Sequence, residues 1–396
     1  MKIDRVSALE REYAMQSLDG QFRSAGNYGF GIRLEREFAA KMGVRHAVAM
    51  VNGTATLHAA LEAAGVRAGD EVIVPPLTMS STAIAVLHAN AVPVFADVRP
   101  DTFLIDADDA ERRVTARTKA IIPVALFGLM PDMDAIMGVA GRHGLAVIED
   151  DAQCFLGSHR GRLAGTIGHM SSFSFQASKH MTSGEGGMVT TDDDGLALKL
   201  RRYSGLGYGS IGLGKARITK DDIQDPGCER HVVLGWNYRM PDIACAVACA
   251  QLERLDELCA CRRLAGEAIA GAAKAAVWLV PQRVPPECGH AWWSAVFALD
   301  RDDVAWRDFR RKFMELGGDG IYAAWQLTYL EPAFREMNLL GREEWAKRAG
   351  ARWERGLCPV AERLQPRLLQ FKTNYWDTER AERQADILAK TIAFFA

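Results

Sequence analysis

Seven short apolar runs, the earlier ones separated by helical patterns, decide most of what this chain can become. They are "HAVAMV" (46–51), "EVIVPP" (71–76), "VPVFADV" (92–98), "KAIIPVAL" (119–126), "LAVIED" (145–150), "SSFSF" (171–175) and "GGMVTT" (186–191). Between the earlier runs lie "ATLHAALEAAG", "STAIAVLHAN" and "DMDAIMGVAGRHG", which read as helices. A strand without a polar face must be covered on both sides, and alternation with helices supplies the cover. The pattern therefore predicts an α/β fold around a mainly parallel sheet. Ligands of such sheets bind beyond the carboxyl ends of the strands. "NGTAT", "PPLTM" and "EDDAQ" all fall there.

The length of 396 residues suggests one large and one smaller domain. "PDIACAVACAQLERLDELCACRRLAGEAIAGAAKAA" (241–276) reads as a long, bent helix with Pro241 near its start. The division is placed within it, giving a large domain over 1–260 and a smaller α+β domain over 261–396. The glycine-rich stretch 204–233 is too long for an ordinary connection and reads as a flap or interface loop.

Several function classes are set aside by composition. A formal net charge of −2 leaves no basic field for nucleic acid or an anionic membrane. The first residues, "MKIDRVSALEREYAMQSL", hold no apolar export segment, and no run of about 18 uncharged apolar residues is present that could span a bilayer. A cytoplasmic protein with reduced thiols is expected, although there are eight cysteines. Cys245, Cys249, Cys259 and Cys261 share one helical pattern without a second pair at ligand spacing, so no metal is expected. "GYGSIG" (207–212) has dinucleotide-motif spacing, but "LGKARITKDD" after it is no apolar helix.

Three segments at strand ends carry chemistry. "NGTATLHAALEAAG" opens a helix whose free N–H groups favour an anion, or it is simply capped by Thr54. "VIEDDAQ" ends a buried strand with Glu149, Asp150 and Asp151, one of which can face a cationic ring nitrogen; the alternative is a solvated turn. "SFSFQASKHMTSGEGGM" (172–188) isolates Lys179 among small residues. A lysine in an enclosed site gives up its proton more easily and can attack an aldehyde. Pyridoxal 5′-phosphate meets the three demands with a phosphate, a pyridine nitrogen and an aldehyde.

In this order and spacing, these segments and "LGWNYRMPDIACAVACAQLERLDE" resemble the sugar and cyclitol aminotransferases, the DegT/StrS group of fold type I pyridoxal phosphate enzymes. The likeness runs from about residue 29 to the C-terminus. It implies a Schiff base through Lys179, which would also shuttle protons, with Asp150 facing the pyridine nitrogen. Gln153 would lie over the ring or near its phenolic oxygen. Ser174 would bind the phosphate with the Gly53-Thr54-Ala55 turn. Asn237 would reach the phosphate of a neighbouring subunit, making a homodimer obligatory. Two departures stand out: Met79 occupies the place of a ring-stacking aromatic, and Asp151 that of a small or apolar residue.

The resemblance implies ping-pong transamination from L-glutamine or L-glutamate to a keto-cyclitol or keto-sugar. "FSFQxSKHMTxGEGG" and "GGDGIYAAWQLTYLEPAF" (317–334) are most similar to the keto-inositol branch; a nucleotide-linked keto-sugar is the alternative. Tyr322, Trp325 and Tyr329 are candidates for a sugar pocket, or are ordinary core aromatics. Arg239 is a candidate for a donor carboxylate or a phosphate, or is a structural ion pair. A non-catalytic, cofactor-binding regulator is the reading of a different class. Such a protein should lose the lysine or the acid, and this chain has both.

Overall fold

All seven apolar runs are strands of one sheet in the computed structural model, which describes residues 1–22, 29–213, 224–227 and 229–396. In chain order the strands are β1 (His46–Met50), β2 (Glu71–Val74), β3 (Val92–Phe95), β4 (Thr118–Ile121) and β5 (Ala146–Asp150). A short hairpin follows, β6 (Ser158–His159) and β7 (Arg162–Leu163), then β8 (Met170–Ser174) and β9 (Gly187–Thr191). The seven-stranded sheet has the order β1-β9-β8-β5-β4-β2-β3. Neighbours from β8 to β3 are parallel, whereas β9 is antiparallel to both β1 and β8. β2, β8 and β9 are buried at every position, as strands covered on both faces must be.

Helices pack against the sheet. They begin with α1 (Ala8–Asp19), α2 (Phe30–Met42), α3 (Gly53–Ala63) and α4 (Ser81–His88). α2 buries Leu34, Phe38 and Met42, four residues apart, which places them on one face. Each such buried side chain contributes about 1.5–3 kcal/mol. α1 starts in a capping box: Ser7 Oγ accepts from the Leu9 N–H, and Glu10 Oε2 accepts from the Ser7 N–H.

The expected long helix over 241–276 is two helices, Asp242–Glu253 and Leu255–Ala273, parted at Arg254 (φ −101°, ψ 6°). The Arg254 side chain is drawn to Glu10 Oε1 at 2.7 Å and Glu257 Oε1 at 2.6 Å. The first helix packs on α1 and α2, the second on the last helix, Thr378–Phe394. Beyond them lie β10 (Leu279–Pro281), β11 (Cys288–Gly289), β12 (Ser294–Leu299), β13 (Tyr322–Ala323) and β14 (Leu368–Lys372). β10-β12-β14-β13 form an antiparallel sheet, and β11 joins the β6–β7 hairpin. Among the described residues no helix is long and apolar enough to cross a membrane, and Cys154, Cys249, Cys259, Cys261, Cys288 and Cys358 are free thiols.

Candidate active site

A cavity of about 520 Å³ opens at the carboxyl ends of β1, β2, β5 and β8. Gly53, Thr54, Met79, Asp150, Gln153, Ser174, Lys179 and Trp325 line it together, eight of the residues singled out in the sequence.

The anion end follows from how tightly α3 meets β8. A Cβ built on Gly53 would stand 2.9 Å from Ser174 Cβ, so only glycine permits this approach. Thr56 Oγ1 and Ser172 Oγ share a hydrogen bond of 2.6 Å that ties helix to strand. The helix cap is Asn52, not Thr54: its Oδ1 accepts from the Ala55 N–H at 2.8 Å. That bond takes up the Ala55 amide, and Ala55 does not line the cavity. The Gly53 and Thr54 amides at the first helical turn have no intrahelical acceptor. With Ser174 they form the part of the wall suited to a phosphate.

The three acids at the end of β5 divide their roles by direction. Glu149 turns to the segment after β7 and accepts from the N–H groups of Gly165, Ile167 and Gly168. Asp151 accepts from Ser171 Oγ at 2.6 Å and does not line the cavity. Burial, and then the Glu149 charge, hold its carboxyl well above the usual carboxylate range. Asp150 alone faces the cavity, with its main chain fixed by bonds to Pro123 and Ala125. Thr82 Oγ1 donates to Asp150 Oδ2 at 2.8 Å. Burial raises the Asp150 carboxyl; the Thr82 bond and the Lys179 charge oppose the rise.

Lys179 lies on the turn after β8, its N–H donating to the Gln176 carbonyl at 2.9 Å. Burial pushes its ammonium down to about 8, against the pull of Asp150, while Arg262 assists the drop. Its Nζ sits over the Trp293 ring, 4.9 Å from the centroid. Trp293 and Trp325, 6.0 Å apart, form an aromatic wall of the cavity. Gln153 Oε1 accepts from the Phe127 N–H at 2.8 Å, which fixes its side chain.

Other expected residues lie elsewhere. Tyr322 is half exposed on β13, with Lys372 Nζ 5.6 Å from its ring centroid, and does not reach the cavity. Tyr329 is a core residue whose hydroxyl donates to Glu362 Oε1 at 2.6 Å. Asn237 and Arg239 are exposed and line a separate cavity of about 620 Å³. Among the described residues Arg239 has no ion-pair partner. Part of the expected flap over 204–233, namely 214–223 and 228, lies outside the described residues.

Sequence reasoning misses Thr82, Trp293 and Arg262. Thr82 sits inside the apolar "STAIAV", and Trp293 reads only as the start of a strand. Arg262 carries a signal: with Leu258, Ala265 and Ile269 it falls on the buried face of its helix.

A buried lysine opposite a carboxylate, beside a glycine-threonine-serine anion cradle and on this sheet, defines a fold type I pyridoxal phosphate-dependent enzyme. Residues 5–349 match the DegT/DnrJ/EryC1/StrS aminotransferase family, and the chain belongs to that family. It is 43% identical over 259 residues to a GDP-perosamine synthase of Caulobacter vibrioides, a match covering 65% of each chain. It is 36% identical over 352 residues to L-glutamine:2-deoxy-scyllo-inosose aminotransferase of Streptoalloteichus tenebrarius, covering 86% of this chain and 80% of that one. Among solved structures, an aminotransferase from Psychrobacter cryohalolentis superposes with a TM-score of 0.84 at 29% identity. The superposition covers 98% of this chain and 97% of that one.

Proposed function

We propose that the chain transfers an amino group from L-glutamine or L-glutamate to a ring ketone of a cyclitol, using pyridoxal phosphate. The observation that carries this reading is Lys179, buried, with its ammonium weakened and Asp150 across the same cavity. When bound, pyridoxal phosphate supplies an aldehyde for the amine and an electron sink for the carbon losing or gaining nitrogen. Lys179 Nζ holds and returns the proton that moves in each half of the exchange, a role suited to an amine poised near neutrality. Asp150 would face the ring nitrogen, and Gly53, Thr54 and Ser174 would hold the phosphate. The Trp293–Trp325 wall offers aromatic faces to the C–H groups of a saturated ring.

The match to a 2-deoxy-scyllo-inosose aminotransferase supports the cyclitol, because its 352 aligned residues must reach into the C-terminal third that carries Trp293 and Trp325. The 43% identity to a GDP-perosamine synthase favours a second reading, a nucleotide-linked keto-sugar as acceptor. We read the exposed Asn237 and Arg239 as groups offered to the site of a second copy of the chain, in a homodimer.

The test is a pair of half-reactions on the cofactor-loaded protein. The visible absorbance should bleach with L-glutamine or L-glutamate. It should return with scyllo-inosose or 2-deoxy-scyllo-inosose under the first reading, and with a nucleotide-linked keto-sugar under the second. Lys179→Ala should abolish turnover; substantial activity in that variant would remove Lys179 from its role.

A further inference from the structure

A cation buried without an acid is costly, and the chain sets two arginines behind its reactive lysine. Arg262, on the helix Leu255–Ala273, is 1% exposed. Its Nη2 donates to the carbonyls of Ser178 at 2.6 Å and Lys179 at 3.1 Å. Its Nη1 donates to the Trp293 carbonyl at 3.1 Å and to Thr373 Oγ1 at 3.3 Å. Arg5, from the N-terminal arm, donates through Nη2 to the same Lys179 carbonyl at 2.9 Å. Neither guanidinium has a carboxylate partner among the described residues, and the Nε of each is buried without an acceptor. Both lie against the Trp376 ring, at 5.1 Å for Arg5 and 5.7 Å for Arg262.

These bonds complete the hold on the lysine's main chain. The Ser178 N–H donates to Gln176 Oε1 at 2.7 Å and the Lys179 N–H to the Gln176 carbonyl. Trp293 Nε1 adds a bond of 3.2 Å to the Ser178 carbonyl. All four main-chain polar atoms of Ser178 and Lys179 are thus engaged. A neutral amide offers two N–H donors against the guanidinium's five, so asparagine or glutamine would satisfy only some of these acceptors, but would do so without burying a charge. The choice of arginine therefore asks what the positive charge does.

We propose that Arg262, steadied by Arg5, is a positioning residue for the reaction: it clamps the main chain carrying the Lys179 amine, and its uncompensated charge discourages that amine from holding a proton. The groups facing Lys179 set the balance. Asp150 on β5 and Glu185 before β9 favour the ammonium, and Arg262 opposes it. Arg5 reaches the same Lys179 carbonyl from the arm, and His180, kept neutral by burial, adds no charge. Burial lowers the Arg262 guanidinium to about 9, which still leaves it a cation at neutral pH.

The inference rests on Lys179 being the reactive amine, and its test needs neither cofactor nor turnover. In cofactor-free protein, the rate of Lys179 acetylation by acetic anhydride, followed by mass spectrometry against pH, reports the amine's protonation. Arg262→Met should raise the apparent pKa by about half a unit or more, slowing labelling roughly threefold at a fixed pH below it. Arg262→Lys keeps the charge and should restore the parent titration. Arg5→Met, which leaves the core cation in place, should shift the titration in the same direction and decides the matter if Arg262→Met does not fold. An unshifted titration in a folded Arg262→Met, or in Arg5→Met where that variant decides, overturns the proposal. So does Arg262→Lys shifting as far as Arg262→Met. An unshifted titration strikes the clamp alone, whereas retained turnover in Lys179→Ala strikes the functional reading.

Discussion

Replacing Thr82 with valine isolates the support given to Asp150. Thr82 is fully buried, and its Oγ1 lies 2.8 Å from Asp150 Oδ2. The other carboxylate oxygen receives only a 3.3 Å contact from the Ala152 N–H. Thr82 is therefore the principal donor to an acid that burial already disfavours as an anion. Valine keeps the branched shape and removes the hydroxyl. A hydrogen bond to a charged group contributes about 1.5–3 kcal/mol. If the whole of it is felt where the ionised Asp150 is needed, kcat/KM falls by about 10- to 100-fold. The loss has a pH signature. Without the bond the carboxyl rises further, so activity is lost first on the acid side and the acid limb of the kcat/KM profile moves up. Thr82→Ser keeps a hydroxyl and should stay near the parent. The assay is the kcat/KM profile of all three proteins from about pH 5 to about pH 9. A Thr82→Val variant within about twofold of the parent throughout, with an unmoved acid limb, refutes the argument that this bond keeps Asp150 ionised.

Two further substitutions test the anion cradle and the sorting of the acids. Gly53→Ala forces α3 away from β8, because the new Cβ would meet Ser174 Cβ at 2.9 Å; titration should show cofactor affinity weakened about tenfold or more, and unchanged affinity would deny that the close approach shapes the phosphate site. Asp151→Asn removes a carboxyl raised by burial while keeping an acceptor for Ser171 Oγ. A raised group contributes stability that is fully present below its unfolded value and lost as pH rises through its folded one. The variant should therefore unfold at higher urea than the parent at about pH 8, with the advantage shrinking at about pH 5; a loss of stability at about pH 8 would contradict the sign.

The sheet is legible because a strand buried on both faces has nowhere to hide its apolar run. Val72, Ile73 and Val74 are all fully buried, and their run stands out without any knowledge of neighbours. The reversal of β9 is also present in the sequence, in a less obvious form. Only twelve residues separate Ser174 from Gly187, and they carry no helical pattern. A parallel return of that length would be filled by a crossover helix, so a connection without a helical pattern points to an antiparallel pair. The β6–β7 hairpin, by contrast, has strands of two residues, too short for any period to register.

The site divides along the same line. Asp150, Ser174 and Lys179 lie within thirty residues of one another, on two adjacent strands and the turn after the second, so their grouping follows from local spacing. Trp293 and Arg262 come from far along the chain, and nothing in their immediate neighbours says they reach the lysine. Arg262 nevertheless betrays itself by occupying a core position of an otherwise apolar helix face. A charge there must be paired or must serve something, and the described residues give it no acid to pair with. Buried arginines on apolar stripes are in this sense readable from the amino-acid pattern alone: the stripe says the side chain points inward. The absence of a carboxylate at helical spacing on that same face leaves main-chain carbonyls as the remaining acceptors. In this chain those carbonyls belong to Lys179, to the serine before it and to Trp293.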